Sequence, residues 1–274
     1  MTANALGRRD SAAAKDEWKL VWCDEFDGPE GAPADPAFWT HEIGDGSVHG
    51  NPGWGNGELE YYTAGTENAA LDGRGNLVVT ARQEPSTTDR TCYYGRCEYT
   101  SARLITKGRL EHMHGRVEAR IRVPQGSGLW PAFWALGANI DEVGWPACGE
   151  IDVVEHVGRE PRRVIGALHG LGYSGSEGIA QVVELPQDVA DDFHVFAVEW
   201  HPGRIVWAVD GAEFHRVTPA DVAPNDWPFD QPFYLLLNVA VGGHLGGAVG
   251  EGTIFPARML VDYVRVWAHD GTMI

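Results

Sequence analysis

From Gly115 to Val123 the chain alternates strictly: Val117, Ala119, Ile121 and Val123 fall on one side of an extended backbone, and Arg116, Glu118, Arg120 and Arg122 on the other. A segment patterned this way reads as a strand with one face in a core and one in water. The same period of two returns in Asn76 to Arg82, His194 to Trp200, Arg204 to Asp210 and Met259 to Trp267. Turn signals separate the runs, among them LDGRGN, HPGR and VDGAE. HVFAVEW, IVWAVDG and AEFHRV follow one another as a meander of three strands. Nowhere does an apolar period near 3.6 persist for the roughly ten residues of a helix, and Pro219 to Asp226 holds one short turn at most. The pattern predicts a single all-β domain over residues 17–274, built as two antiparallel sheets packed face to face, behind a flexible N-terminus over residues 1–16.

Composition narrows the function. Thirty-nine Asp and Glu against 21 Lys and Arg give a formal charge of −18, which disfavours a polyanionic partner such as nucleic acid. No apolar run reaches the roughly 18 residues that would span a bilayer, and the opening MTANALGRRDSAAAKDEW lacks the apolar core of a signal peptide. The chain is therefore read as soluble, with any export leader already removed. The 35 glycines follow no repeat and imply many tight turns. Eleven tryptophans are more than a core readily accommodates, because each buried indole N–H needs a partner. Some are expected in a groove, where flat apolar faces with polar edges suit sugar rings. Cys92 and Cys97 have a spacing that a hairpin-closing disulfide could span; the spacing alone leaves that pairing open. No cysteine or histidine spacing suggests a zinc site.

The chemistry concentrates in Cys148-Gly-Glu-Ile-Asp-Val-Val-Glu-His156, where Glu150, Asp152 and Glu155 interrupt a Val-rich strand. On a regular strand Glu150 and Asp152 share a face and Glu155 takes the other. A β-bulge after Asp152 would return Glu155 to the same face, and bulges are frequent beside active sites. A charged edge strand or a metal site is the competing reading, but the run carries no Lys and its intervening residues are Ile151, Val153 and Val154. Crowding three carboxylates is costly unless one keeps its proton. One ionised and one protonated carboxyl is what cleavage of a glycosidic bond requires. With one rise removed by a bulge, the two Glu Cα atoms would still lie about 13 Å apart. Their side chains must lean together to reach the ~5 Å of a retaining pair.

The surroundings fit a sugar groove. Gly128-Leu-Trp-Pro-Ala-Phe-Trp-Ala-Leu136 puts Trp130 and Trp134 on one strand face, and Trp145-Pro146 leads into the carboxylates. A second cluster, Asn51 to Thr63, is a Gly-rich loop in which Asn56, Glu58 and Tyr62 could meet hydroxyl groups; an ordinary surface loop is an equal reading of it.

These blocks resemble glycoside hydrolase family 16, and within it the bacterial endo-β-1,3-glucanases, or laminarinases. The likeness runs from about Trp18 to Trp267 through LVWCDEFDG, GWGNGELEYYT, NLVVTAR, YTSARLITKG, GRVEARIRVP, GEIDVVE, VEWHPGRIVWAVDG and DYVRVW. It implies a concanavalin-like β-jelly-roll sandwich with a cleft across its concave sheet, and endo-hydrolysis of β-1,3-glucan with retention. Glu150 would be the nucleophile, Glu155 the acid/base and Asp152 the assisting carboxylate. Trp145 would be the stacking platform, Arg103 a contact to a glucose on the non-reducing side and His169 a neighbour of the nucleophile. Trp130, Trp134, Asn56 and Asn238 would contribute to the groove.

The resemblance implies no catalytic cofactor, but a structural calcium ion far from the cleft, held mostly by backbone oxygens and one Asp. Block matching puts Glu25, Gly75 and Asp262 there. The alternation of LVDYVRV also places Asp262 on a face with Leu260, Val264 and Val266, an expensive position for an unpartnered carboxylate. The expected partner is a β-glucan and the expected state a secreted monomer. The six-residue form of the carboxylate run favours the laminarinase branch over the mixed-linkage lichenase branch, while cleavage of mixed β-1,3-1,4-glucan as well stays open, because loop shape rather than the catalytic residues decides it. A transglycosylase, and a glucan-binding protein that has lost its carboxylates, are the alternatives; here all three carboxylates are present.

Overall fold

The computed structural model of the protein describes residues 18–269; the N-terminal stretch 1–16, expected to be flexible, lies outside the described residues. Two large sheets face each other, as the alternation predicts. The first has ten strands, in the order Ala212–Val217, Arg204–Val209, His194–His201, Gly115–Arg122, Ala257–Ala268, Leu77–Gln83, Tyr99–Ser101 and Glu60–Tyr62. Lys19–Asp24 adds to Ala257–Ala268, and Ala69–Leu71 to Leu77–Gln83. The second sheet has eight strands, in the order Ile179–Glu184, Arg163–His169, Glu150–Glu155, Leu129–Gly137, Phe233–Val241, Arg103–Ile105 and Thr40–Glu42, with Glu111–His112 added to Phe233–Val241. Pairing is antiparallel throughout these sheets except between Glu60–Tyr62 and Tyr99–Ser101. The helices are single turns, one of them Pro219–Val222 inside the region where the sequence allowed one.

The core lies between the sheets. Val117, Ala119, Ile121 and Val123 point into it from one side, and Phe133, Ile151, Val154, Leu235, Leu237 and Val239 from the other. Trp207 is fully buried and donates its indole N–H to the Asp152 carbonyl at 2.7 Å, which ties the ten-stranded sheet to the strand that carries the carboxylates. Trp267, on the strand Ala257–Ala268 of the same sheet, is only partly covered. Because the eight-stranded sheet gives one side of each strand to the core, its alternate residues are delivered to the opposite face. Ile105, Leu136, Tyr234 and Leu236 make a second, smaller apolar cluster on that face, with Trp134 packed against it. This is the floor on which the site is built.

Candidate active site

The strand Glu150–Glu155 breaks its alternation as the sequence requires. Asp152 pairs with Trp134 and Val154 with Phe133, so Val153 has no opposite number and forms a bulge. On the other edge, Asp152 sits opposite Ala167 and Glu155 opposite Ile165, with the same shift between them. Val153 and Val154 both go into the core. The bulge therefore brings Glu155 back to the face of Glu150 and Asp152. Gly149, just before the strand, has φ +80°, and a Cβ there would stand 2.9 Å from Pro228 and 3.1 Å from the Phe233 ring. Only glycine lets the chain enter Glu150 at that angle.

The carboxyl groups have distinct environments. Glu150 accepts from Trp145 Nε1 at 2.6 Å, and the Trp145 ring is 50% exposed, as a platform for a ring-shaped ligand would be. Glu155 is buried and accepts from Trp130 Nε1 at 3.0 Å. Burial, opposed by His169 and reinforced by the charges of Glu150 and Glu58, lifts its pKa to about 7. Asp152 is buried between them with His169 Nε2 3.2 Å from its Oδ2. His169 stands directly across the strand pair from Glu150. One oxygen each of Glu150 and Asp152 and one ring nitrogen of His169 lie within 4.8 Å of one another. Burial works against a charged imidazole here, but the hydrogen bond and charge of Asp152, with Glu150 and Glu155 behind it, push His169 up to about 9. Asp152 and His169 thus hold a proton between them in the middle of the cluster.

The groove continues along one register row. Glu155 pairs with Ala132, Ala132 with Asn238, Asn238 with Arg103, and Arg103 with Glu42. Trp134 donates to Asn238 Oδ1 at 2.7 Å. The Arg103 side chain is fixed by an ion pair to Glu42 at 2.5 Å and lies between the rings of Trp54 and Trp134, 4.5 and 4.7 Å from their centroids. The structure thus gathers Trp130, Trp145 and His169 at the carboxylates, with Trp134 opposite Asp152 and Asn238 and Arg103 on the strands beyond it.

The loop residues Glu58 and Tyr62, read from sequence as partners for hydroxyl groups, are buried instead. Tyr62 donates to Glu58 at 3.2 Å, and Asn56 donates to the other Glu58 oxygen at 2.9 Å. Only Asn56 of the three keeps an accessible side chain. Trp54 and Glu42 were not singled out by sequence. A signal existed for Trp54, a bulky residue inside a Gly-rich turn, which adopts the left-handed φ of 52°. For Glu42 there was none, since only the strand register brings it to Arg103.

Far along the other sheet, Lys19–Asp24 and Leu77–Gln83 share the strand Ala257–Ala268, ending opposite Val264 and starting opposite Val261. Glu25, Gly75 and Asp262 flank that junction. A Cβ on Gly75 would lie 4.0 Å from the Glu25 carbonyl oxygen and 3.5 Å from Asp27 Oδ1, so backbone and carboxylate oxygens do converge. The burial argument for Asp262 fails, however. Arg120 pairs with Tyr263 and Ile121 with Val261, leaving Asp262 as a bulge residue, 35% exposed and bound to Arg120 at 2.7 Å. Val261, not Leu260, joins Val264 and Val266 in the core.

A carboxylate beside a protonated carboxyl on one wall of an aromatic groove is equipped to break an acetal by attack and protonation. Residues 58–265 match the family described as glycosyl hydrolases family 16. A β-glucanase of Rhodothermus marinus is 44% identical over 260 residues, 91% of this chain and 85% of that protein. The endo-β-1,3-glucanase structure from Pyrococcus furiosus matches with a TM-score of 0.85 at 50% identity, over 92% of this chain and 94% of that one. The laminarinase catalytic domain of Thermotoga maritima MSB8 matches with a TM-score of 0.85 at 47% identity, over 92% and 98% of the two chains. With the carboxylate strand, the groove and the two-sheet frame all inside these matches, the chain belongs to glycosyl hydrolase family 16.

Proposed function

We propose that the protein is a retaining endo-β-1,3-glucanase of the laminarinase type. The observation that carries this reading is the Val153 bulge, which sets an ionisable pair, Glu150 and a Glu155 poised near neutrality, on one face beside an exposed Trp145. A glucose ring stacks on Trp145. Glu155 gives its proton to the glycosidic oxygen while a Glu150 oxygen bonds to the anomeric carbon, and the C–O bond to the departing chain breaks. Glu155, now ionised, takes a proton from water as the water oxygen bonds to that carbon and releases Glu150. Glu150 loses its charge on forming the ester as Glu155 gains one, so the buried cluster never carries an added charge. Asp152 and His169, sharing a proton, keep the total charge tolerable between them.

The test is reducing-end release from laminarin, lichenan, agarose and xyloglucan by the wild type and by Glu150→Gln. Laminarin is cut fastest, lichenan more slowly, and the variant loses about a thousandfold or more of its rate. Near-wild-type activity of the variant, or preference for agarose or xyloglucan, overturns the reading. Product chains longer than the substrate would show transglycosylation. Proton NMR of the first product reports retention.

The same reading makes the protein a monomer and a secreted one, the latter supported by the Cys92–Cys97 disulfide, a bond of oxidising compartments. It also assigns a structural calcium ion to the oxygens around Glu25, Gly75 and Asp262. The close approach of Gly75 to the Glu25 carbonyl fits that ion; Asp262 would have to share its carboxylate with Arg120.

A further inference from the structure

Behind Asn56, on the side of the groove lined by Arg103, two carboxyl groups lie within hydrogen-bonding reach of each other: Glu58, which is buried, and Glu60, which is 0% exposed. Glu60 Oε2 accepts from the Val241 amide at 2.6 Å. Its other oxygen is buried and takes no donor among the described residues. An oxygen facing a second carboxyl group in a dry site needs a proton between them. The donors decide where that proton sits. Trp134 donates to Asn238 at 2.7 Å, Asn238 donates to the Tyr62 hydroxyl at 3.0 Å, and Tyr62 donates to Glu58 at 3.2 Å. Asn56 donates to Glu58 from the other side at 2.9 Å. Every bond in the chain points its hydrogen toward Glu58, the arrangement an acceptor-only carboxylate imposes. Gly242 and Gly243, both with φ +75°, close over it: Gly242 bridges to Glu58, and a Cβ on Gly243 would stand 3.1 Å from the Asn56 carbonyl and 3.3 Å from Glu58 Cγ.

We propose that Glu60, as a neutral carboxylic acid, donates to an ionised Glu58, and that this pair is a positioning device which fixes Asn56, Asn238 and Trp134 for the sugar and places a fixed negative charge facing the acid/base Glu155. This rests on the glucanase reading of the groove. Complete burial, then the charge of Glu58 and the hydrogen bond to it, hold Glu60 well above the usual carboxylate range. The titratable and charged groups that face Glu58 are Glu60, Tyr62, Arg103, Tyr93 and Glu155. Those that face Glu155 are His169, Glu150, Asp152 and Glu58. Removing the Glu58 charge eases ionisation of Glu155, so its pKa falls.

Three measurements test the pair. Infrared difference spectra at pH 8 between wild type and Glu60→Gln should show a protonated carboxyl band that the variant lacks. This readout is independent of any activity, and its absence overturns the shared proton even if the enzyme is a glucanase. Glu58→Gln should raise KM for laminarin oligosaccharides roughly tenfold, the scale of one charge-assisted hydrogen bond, with less change in kcat. It should also move the alkaline limb of kcat/KM to lower pH. Glu60→Leu should raise KM similarly, with Glu60→Gln recovering most of the loss because its amide can still donate to residue 58. An unmoved alkaline limb and unchanged KM in folded Glu58→Gln overturn the positioning role. Oligosaccharide binding to Glu150→Gln, with and without Glu58→Gln, keeps the KM reading separate from chemistry.

Discussion

Glu155 shows how one residue's surroundings set both activity and stability. The group ionises at 4.5 when exposed and at about 7 in the fold, chiefly because it is buried. As the proposed acid it must be protonated to act, so kcat/KM should fall as pH rises through about 7, read from a pH–rate profile on laminarin. The stability sign follows from the same pair of values. The folded state holds the extra proton between 4.5 and about 7, so the cost of burying Glu155 is absent below that window and complete above it. Glu155→Gln keeps the acceptor for Trp130 and removes the charge. It should inactivate the enzyme while raising stability at pH 8 by roughly 3 kcal/mol relative to its effect at pH 4, measured by denaturant titration. Equal effects at both pH values would argue against a buried carboxylate cost. The family likeness and the carboxylate spacing made Glu150, Asp152 and Glu155 legible from sequence. The proton shared by Asp152 and His169 was not, because it depends on two strands meeting.

At the scale of elements, the bulge and a small hairpin carry the local design. Because Val153 alone lacks a partner, deleting it should leave Phe133 opposite Val154 and Trp134 opposite Asp152, with all three carboxyl groups still on the groove face. The variant should fold and keep measurable laminarin cleavage, at a stability cost of about 2–3 kcal/mol for one lost core valine. Deleting Ile151 instead shifts the register and should abolish activity; equal loss in both variants would contradict the bulge assignment. The hairpin Thr91–Arg96 is closed by the Cys92–Cys97 disulfide. It braces the loop behind Asn56 through Tyr93 N–H to Asp45 and the Tyr94 hydroxyl to the Leu59 carbonyl, both at 2.5 Å. Replacing both cysteines with Ser should lower stability by about 2 kcal/mol, the entropy of so short a loop, measured by denaturation without reductant. Spacing left this bridge open because a five-residue separation permits a disulfide without requiring one.

Across the whole molecule, one long strand, Ala257–Ala268, the last among the described residues, is where the first described strand, Lys19–Asp24, and the strand Leu77–Gln83 meet. The Glu25 carboxylate grips Arg265 with two bonds of 2.7 and 2.8 Å, so the first strand is held to the last by an ion pair near its end. If calcium adds to this clamp, a chelator should lower the melting temperature by several degrees and leave the 25 °C rate on laminarin unchanged. Asp262→Ala should reproduce the loss and become insensitive to chelator. A melting temperature that ignores the chelator removes calcium from the account.

Alternation of side chains along a strand is a local property, and so the sequence by itself determined the sandwich, the inward face of Gly115–Arg122 and the need for a bulge between Asp152 and Glu155. Period two also misled where a second bulge intervened: Asp262 read as a core position and stands partly exposed on Arg120. Which residues become neighbours across strands is a matter of register, and register is fixed only when the sheets close. Tertiary structure therefore decided that Arg103 sits between Trp54 and Trp134, that Glu58 and Tyr62 turn inward, and that Glu60 is sealed beneath them. Burial in that assembled setting, which no local pattern encodes, is what moves the protons on which the site depends.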